Sequence, residues 1–416
     1  MEYTFSTAGA LIGLVIAIIL IIKKIHPAYS LILGALVGGI IGGGGLVTTV
    51  NTMVSGAQSM MSSVLRIMTS GILAGALIKT GSAEKIADTI VVKLGQKRAI
   101  AAISIATMII CAVGVFVDIS VITVAPIAIA IGKKANLSKA GILLAMIGGG
   151  KAGNIISPNP NTIAASEAFG IDLTALMMKN IVPALFALIV TILLSGFLAK
   201  KASDNYESSG EAAPKNLPNL MAAIAGPLAV IILLALRPVS GISIDPLIAL
   251  PLGGIISIIV TGNAKNTIAY TEFGLSKVIG VSILLIGTGT LAGIIKTSAL
   301  QYDMITLLEI MNMPAFILAP LSGILMAGAT ASTTAGATIA SQTFSGTLLE
   351  AGVPGISAAA MIHAGATVID SLPHGSFFHA TGGSVFMNIK ERMKLIPYEA
   401  AVGLTSTIAS VIIYLI

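Results

Sequence analysis

Asp118 is the one charged residue in the 34-residue stretch from Ala99 to Gly132, and 39 residues after it comes Ser157-Pro158-Asn159-Pro160. Ser332 stands at the same distance before Ser371-Leu372-Pro373-His374. An ionised carboxylate at the middle of a bilayer costs on the order of 2.5 kcal/mol or more, so an acid in such surroundings either finds a partner or takes up a proton. Asp118 is therefore expected to carry a coupling proton, with a static hydrogen-bonded acid and a sodium ligand as the competing roles. The small polar side chains around the two runs suit a carboxylate that also bears hydroxyls. They are Ser120, Asn154, Ser157, Asn159, Asn161 and Thr162 in the first half, and Thr330, Ser332, Thr333, Ser371, His374 and Ser376 in the second. Their other role would be to cap half-helices and join packed helices. Lys151 beside the first run could pair with a substrate carboxylate, with Asp118 or in a structural ion pair; Asp370 beside the second could orient His374 or cap a helix. Both join Asp118 as candidates for ion coupling. His363, His374 and His379 match no zinc spacing, so neither a metal nor a cofactor is expected.

The chain around these residues is written twice. A shift of 214 lays Gly132 on Gly346, Gly141 on Gly355, Ala152 on Ala366 and Ser157 on Ser371. A shift of 217 to 218 lays Leu73-Ala74-Gly75 on Leu291-Ala292-Gly293. With 56% hydrophobic and 10% charged residues, the 416-residue chain has too little polar surface for a soluble fold of its length, and a bilayer is its expected solvent. The net charge of +6 sits in loops between apolar runs, which points to topology rather than to nucleic acid. Cys111 is the single cysteine, so no intrachain disulfide exists. The first apolar run has no basic start and no small-residue cleavage pattern, and is expected to be a permanent span.

An all-α membrane protein of two inverted-topology repeats follows. Residues 1–201 form the first repeat, 202–218 a polar cytoplasmic linker and 219–416 the second. Each repeat opens with three spans (5–22, 28–46 and 60–78; 219–236, 246–261 and 279–295), followed by amphipathic connectors at 81–97 and 298–312. Thirty-four apolar residues are too long for one span and too short for two, so 99–132 and 314–349 are expected to be re-entrant hairpins. Segments 140–172 and 354–389 are expected to be broken helices, unwound at Gly148 to Thr162 and at Asp370 to Ser376, where prolines remove donors and glycines weaken the helix. A closing span ends each repeat, at 181–199 and 398–416. Five crossings per repeat is odd, so the halves are inverted. Most of the 23 basic residues then fall on one face, Lys277 and Arg392 among them, while Arg66 lies within the third span in a structural role. The positive-inside rule makes that face cytoplasmic, with both termini outside.

Asp370-Ser371-Leu372-Pro373-His374 resembles the signature of the gluconate permease (GntP) family, and Phe116-Val117-Asp118 is similar to that family's aromatic-aromatic-Glu hairpin tip. The likeness extends at low identity over nearly the whole chain. It implies an organic-anion:proton symporter of the bacterial inner membrane, within an ion-transporter superfamily that has paired re-entrant hairpins. It also implies a homodimer working as an elevator, in which a rigid domain carries the site across a static scaffold. The first break departs from the His-Gly-Phe-Leu-Pro-Pro-His-Pro-like run of gluconate carriers, reading Gly153-Asn154-Ile155-Ile156-Ser157-Pro158-Asn159-Pro160-Asn161. Half of the cradle thus has different chemistry, and a small hydroxylated carboxylate, a sugar acid or a hydroxy acid, is the expected cargo.

Proton-coupled import by an elevator is the leading reading; sodium-coupled symport and sodium/proton antiport are the alternatives. An enzyme is not expected. Asp118 and Asp370 lack the Gly-x-Gly-Asp setting of intramembrane aspartyl proteases, and no nucleotide-binding P-loop is present.

Overall fold

The computed structural model describes residues 4–95, 98–199, 216–240, 242, 244–310, 313–373 and 375–416. Most of the expected linker, and His374, lie outside the described residues. Helices account for the architecture; among the described residues the only β pairing is an isolated bridge between Phe5 and Ser298.

Ser6 starts helix α1 (Thr7–Ile22) by accepting a hydrogen bond from the Gly9 N–H at 3.2 Å, and Pro27 opens α2 (Pro27–Ile41). The pair packs backbone to backbone. A Cβ added at Gly13 would lie 2.6 Å from the Gly34 carbonyl oxygen, and one at Gly38 2.7 Å from that of Gly9, so small residues here permit the close approach. The span expected over 28–46 stops early, at Ile41, because Gly43 and Gly45 take positive φ values of 95° and 65°. A further helix, α3 (Gly45–Ser59), follows and meets α4 (Met61–Lys79) at Met60. Next come α5 (Ser82–Leu94), α6 (Ala99–Ala112) and α7 (Val117–Ala135), with Gly114 at φ 109° in the turn between α6 and α7.

Helix α8 (Lys139–Asn154) corrects an expectation. Its glycine run, Gly148 to Gly153, does not unwind. A Cβ on Gly149 would lie 2.2 Å from the Ser104 carbonyl oxygen and one on Gly153 2.2 Å from that of Met108. The glycines let α8 lie against the backbone of α6, and that packing outweighs their low helix propensity. The chain breaks only over residues 155–159, before α9 (Pro160–Ala168), α10 (Leu173–Lys179) and α11 (Ile181–Ala199).

In the second half, α12 (Leu220–Ser240), α13 (Pro246–Val260), α14 (Thr267–Lys296) and α15 (Leu300–Ile310) precede α16 (Leu318–Thr330) and α17 (Thr333–Glu350). The turn between α16 and α17 places Ala331 at φ 46°. The second break takes in 366–373 and Gly375 among the described residues, between α18 (Gly355–Gly365) and α19 (Ser376–Ser384); α20 (Ile389–Met393) and α21 (Ile396–Leu415) follow. Helix α14 holds 30 residues and is continuous where α3 and α4 are interrupted. Lys277, expected in a loop, therefore lies within a helix.

Among the described residues, Met61–Lys79, Ile181–Ala199, Ala264–Lys296 and Ile389–Leu415 are long and apolar enough to cross a membrane; other apolar helices run 10–17 residues. The outer faces are apolar. On α11 alone Leu185, Phe186, Ile189, Leu193 and Phe197 are exposed, a surface that water does not favour and lipid does.

Candidate functional site

Four helices begin at one cavity of about 290 Å³. Asp118 stands in the first turn of α7, Asn159 and Asn161 at the start of α9, Ser332 to Thr334 at the start of α17, and Ser376 at the start of α19; Asn154, the last residue of α8, joins them. The first turn of a helix has N–H groups without intrahelical partners and carries a partial positive charge, so this convergence favours an anion.

The first break is held by its asparagines. Asn159 Oδ1 accepts from the N–H groups of Asn161 (2.9 Å) and Thr162 (3.1 Å), capping α9. Its Nδ2 donates to the Asn154 carbonyl oxygen at 2.8 Å and to Asn154 Oδ1. Asn161 Nδ2 donates to the same Oδ1 at 3.2 Å. Two buried polar atoms of this knot, Asn154 Nδ2 and Asn161 Oδ1, have no protein partner. From outside the break, Asn180 Nδ2 donates to the Ile155 carbonyl oxygen at 3.0 Å, a brace with no signal in the sequence.

The second break is held by charge. Lys151 Nζ meets Asp370 Oδ1 at 2.6 Å, with 2% and 3% of the two side chains exposed, and donates to the Thr367 carbonyl oxygen, also at 2.6 Å. Thr333 Oγ1 donates to Asp370 Oδ2 at 2.6 Å and Ser371 Oγ donates to Oδ1 at 3.2 Å. Lys151 thus pairs with Asp370, not with Asp118, and lies off the cavity wall. The pair ties α8, the second break and the start of α17 together. Farther along, Arg392, expected in a loop, lies in α20, is 1% exposed, paired with Glu399 and stacked over Phe378 at 4.8 Å from the ring centroid. That pair anchors α19.

Capping separates the four helix starts. Ser332 Oγ accepts from the Ala335 N–H at 3.2 Å and Asn159 caps α9, whereas α7, begun at Phe116, and α19, begun at Gly375, have no side-chain cap. A Cβ on Gly375 would lie 2.4 Å from the Ala331 carbonyl oxygen, so glycine lets this bare helix start press against the α16–α17 turn.

Of the residues singled out in the sequence, Asp118, Asn154, Asn159, Asn161, Ser332, Thr333 and Ser376 line the cavity. The others do not. Ser120 Oγ donates to the Val115 carbonyl oxygen at 3.5 Å, Thr162 Oγ1 to Asn159 Oδ1 at 3.3 Å, and Thr330 Oγ1 to the Met326 carbonyl oxygen at 2.8 Å. Ser157 is buried without a partner, and Ser371 turns to Asp370. Lys277 and Val281 of α14, with Phe116 and Phe377, complete the wall and were not foreseen. Among the described lining residues Lys277 is the cation, its amine 4.9 Å from the Phe273 ring centroid.

A family model described as GntP family permease matches residues 6–259. The chain belongs to the GntP permease family. This GntP permease is 56% identical over 412 residues to the "Uncharacterized transporter" of Haemophilus influenzae, covering 99% of this chain and 98% of that one. It is 24% identical over 352 residues to the D-serine transporter DsdX of Escherichia coli K12, covering 78% and 79% of the two chains. Its fold is similar to that of the Alcanivorax borkumensis YdaH transporter, with a TM-score of 0.69 at 14% identity over 98% of each chain. Family membership and the apolar helices together make the permease an integral membrane transporter.

Proposed function

We propose that this permease imports a small hydroxylated carboxylate together with a proton, by an elevator motion of the hairpins and broken helices against the remaining helices. The observation that carries the reading is the meeting of four helix starts at one small cavity. A volume of about 290 Å³ is at the lower limit for small-molecule sites and suits a metabolite rather than a peptide or lipid. Of the two starts without a side-chain cap, that of α7 carries the carboxylate of Asp118, so the start of α19, with Ser376 beside it, is the seat for the cargo's carboxylate. Asn154 Nδ2 and Asn161 Oδ1 offer one donor and one acceptor without partners, the complement of a hydroxyl, which accepts from the first and donates to the second. A buried polar pair of this kind gains its missing hydrogen bonds only from cargo or water.

Lys151 and Asp370 satisfy each other, which leaves Asp118 as the carboxylate facing the cavity. The start of α7 and Lys277 can answer its charge from one side, and a proton can neutralise it for the crossing. A singly charged anion moving with one proton is electroneutral, so the pH difference drives uptake. The inverted repeats, the homodimer and the cytoplasmic placement of the basic face belong to this same reading.

Proteoliposomes loaded for exchange test it, with D-serine and gluconate as probes. Asp118→Asn is expected to abolish accumulation driven by an acid exterior while probe-for-probe exchange continues. Undiminished acid-driven accumulation in that variant would overturn the assignment of Asp118, and uptake that follows sodium instead of pH would replace the proton.

A further inference from the structure

A second cavity, of about 540 Å³, lies at the other end of the helices that build the first. Helix α14 presents Lys277 and Val281 to the central cavity and Gly293 and Lys296 to the second; α17 presents Thr333 and Thr334 to the one and Gln342 and Glu350 to the other. Helix α9 does the same, with Asn161 at one end and Ala168 at the other. Val281 and Gly293 are separated by about 18 Å of helix rise.

The chemistry is repeated along with the helices. The central cavity sets the amine of Lys277, the carboxylate of Asp118, hydroxyls and the unpartnered amide donor of Asn154 around its space. The second sets Lys296, Glu350, the hydroxyls of Ser55, Ser59 and Ser345, and Gln342, whose Nε2 is buried with no protein partner. A buried amide donor without an acceptor is unfavourable unless something in the cavity supplies one. Lys296 is exposed at the end of α14, placed to draw a carboxylate toward that donor.

We propose that the Lys296–Gln342 cavity is a second binding station for the transported carboxylate, with Lys296 holding its charge and Gln342 Nε2 donating to an oxygen. The inference rests on the transport reading and adds to it a site at the far end of α14. A carrier with such a station collects its cargo before the central site is open to it, and the two lysines mark the two ends of the path.

Equilibrium binding of radiolabelled D-serine and gluconate to the purified full chain tests the proposal. Lys296→Gln and Gln342→Ala, each made alone, are expected to lose half of the wild type's saturable binding, with the remaining half unchanged in affinity. Asn161→Ala is expected to remove the other half. Lys296 is exposed, so its replacement leaves packing intact, and Gln342→Ala probes the same cavity from another helix. Full binding retained by both Lys296→Gln and Gln342→Ala, with all of it lost in Asn161→Ala, would overturn the second station and leave the transport reading standing. No saturable binding of either probe to wild-type protein would remove both.

Discussion

Lys151 and Asp370 show how much a single side chain can decide here. Each is almost fully buried, and each would be an uncompensated charge without the other. Breaking such a pair by removing one partner typically costs about 3–5 kcal/mol, because the remaining charge stays buried and unpaired. Lys151→Met is therefore expected to lower stability by about that much, and combining it with Asp370→Leu to recover a large part of the loss, as read by denaturant unfolding in detergent. An additive double variant would mean that the two charges do not depend on each other. The neighbouring asparagines act by geometry instead of charge: Asn159 is visible in the sequence as a cap just before Pro160, and the structure puts it in that role. The partner of Lys151 was not visible, because the two residues are 219 positions apart in the chain and only folding brings them together.

At the scale of elements, the site depends on how closely α8 approaches α6. Gly149→Ala would bring its Cβ to 2.2 Å from the Ser104 carbonyl oxygen, so one helix must move. Overpacking of this kind costs about 1–3 kcal/mol, and the shift carries Asn154 with it. Thermal unfolding should detect the loss, and probe binding should weaken in parallel; a variant with unchanged stability would show that the contact yields freely. A second junction is made by Arg66. Its Nε and Nη2 reach Asp245 Oδ1 and Oδ2 at 3.0 and 2.6 Å, and its Nη1 pairs with Glu167, so α4 and α13 are tied to the end of α9. The hydrogen bonds from Arg66 hold the Asp245 carboxyl below the usual carboxylate range, against the opposing effect of burial. A lowered folded-state pKa stabilises above the unfolded value and loses that contribution as pH falls through the folded one, so the clamp is intact at neutral pH and released only in acid. The Asp245 side chain is 41% exposed, which limits the effect to about 1 kcal/mol or less. Asp245→Asn should thus melt below wild type at pH 7, with the difference shrinking below about pH 4; a constant difference would place the effect elsewhere.

For the whole molecule, the cavity is walled from both halves of the chain. Helix starts α7, α9, α17 and α19 supply the polar wall, while α14 closes it with Lys277 and Val281. Alternating access in the proposed mechanism requires these walls to part. A short bifunctional thiol reagent bridging Ile119→Cys and Val281→Cys, in a Cys111→Ala background, is expected to stop uptake while either cysteine alone does not. Full transport by the bridged protein would show that α14 and α7 travel together. The exposed apolar faces of α11 and the other outer helices set the boundary for this motion, since any body that moves must keep them in lipid.

Helix content, the bilayer as solvent, family membership and the polar residue types of the site were all written in the sequence, because they follow from composition, local spacing and a short signature. Prolines at 158 and 160 marked where a helix must stop, since the missing donor acts locally. The tertiary structure alone decided the rest. Whether glycines unwind or pack depends on the backbone that faces them, and at α8 that backbone is α6. Whether a serine or threonine lines the cavity or lies behind its wall depends on which side of the turn it faces, which separated Ser332 and Ser376 from Ser120 and Thr330. Charges followed the same rule, because folding sets their neighbours: Lys277 came to the cavity wall, and Lys151 to a carboxylate in the other half of the chain.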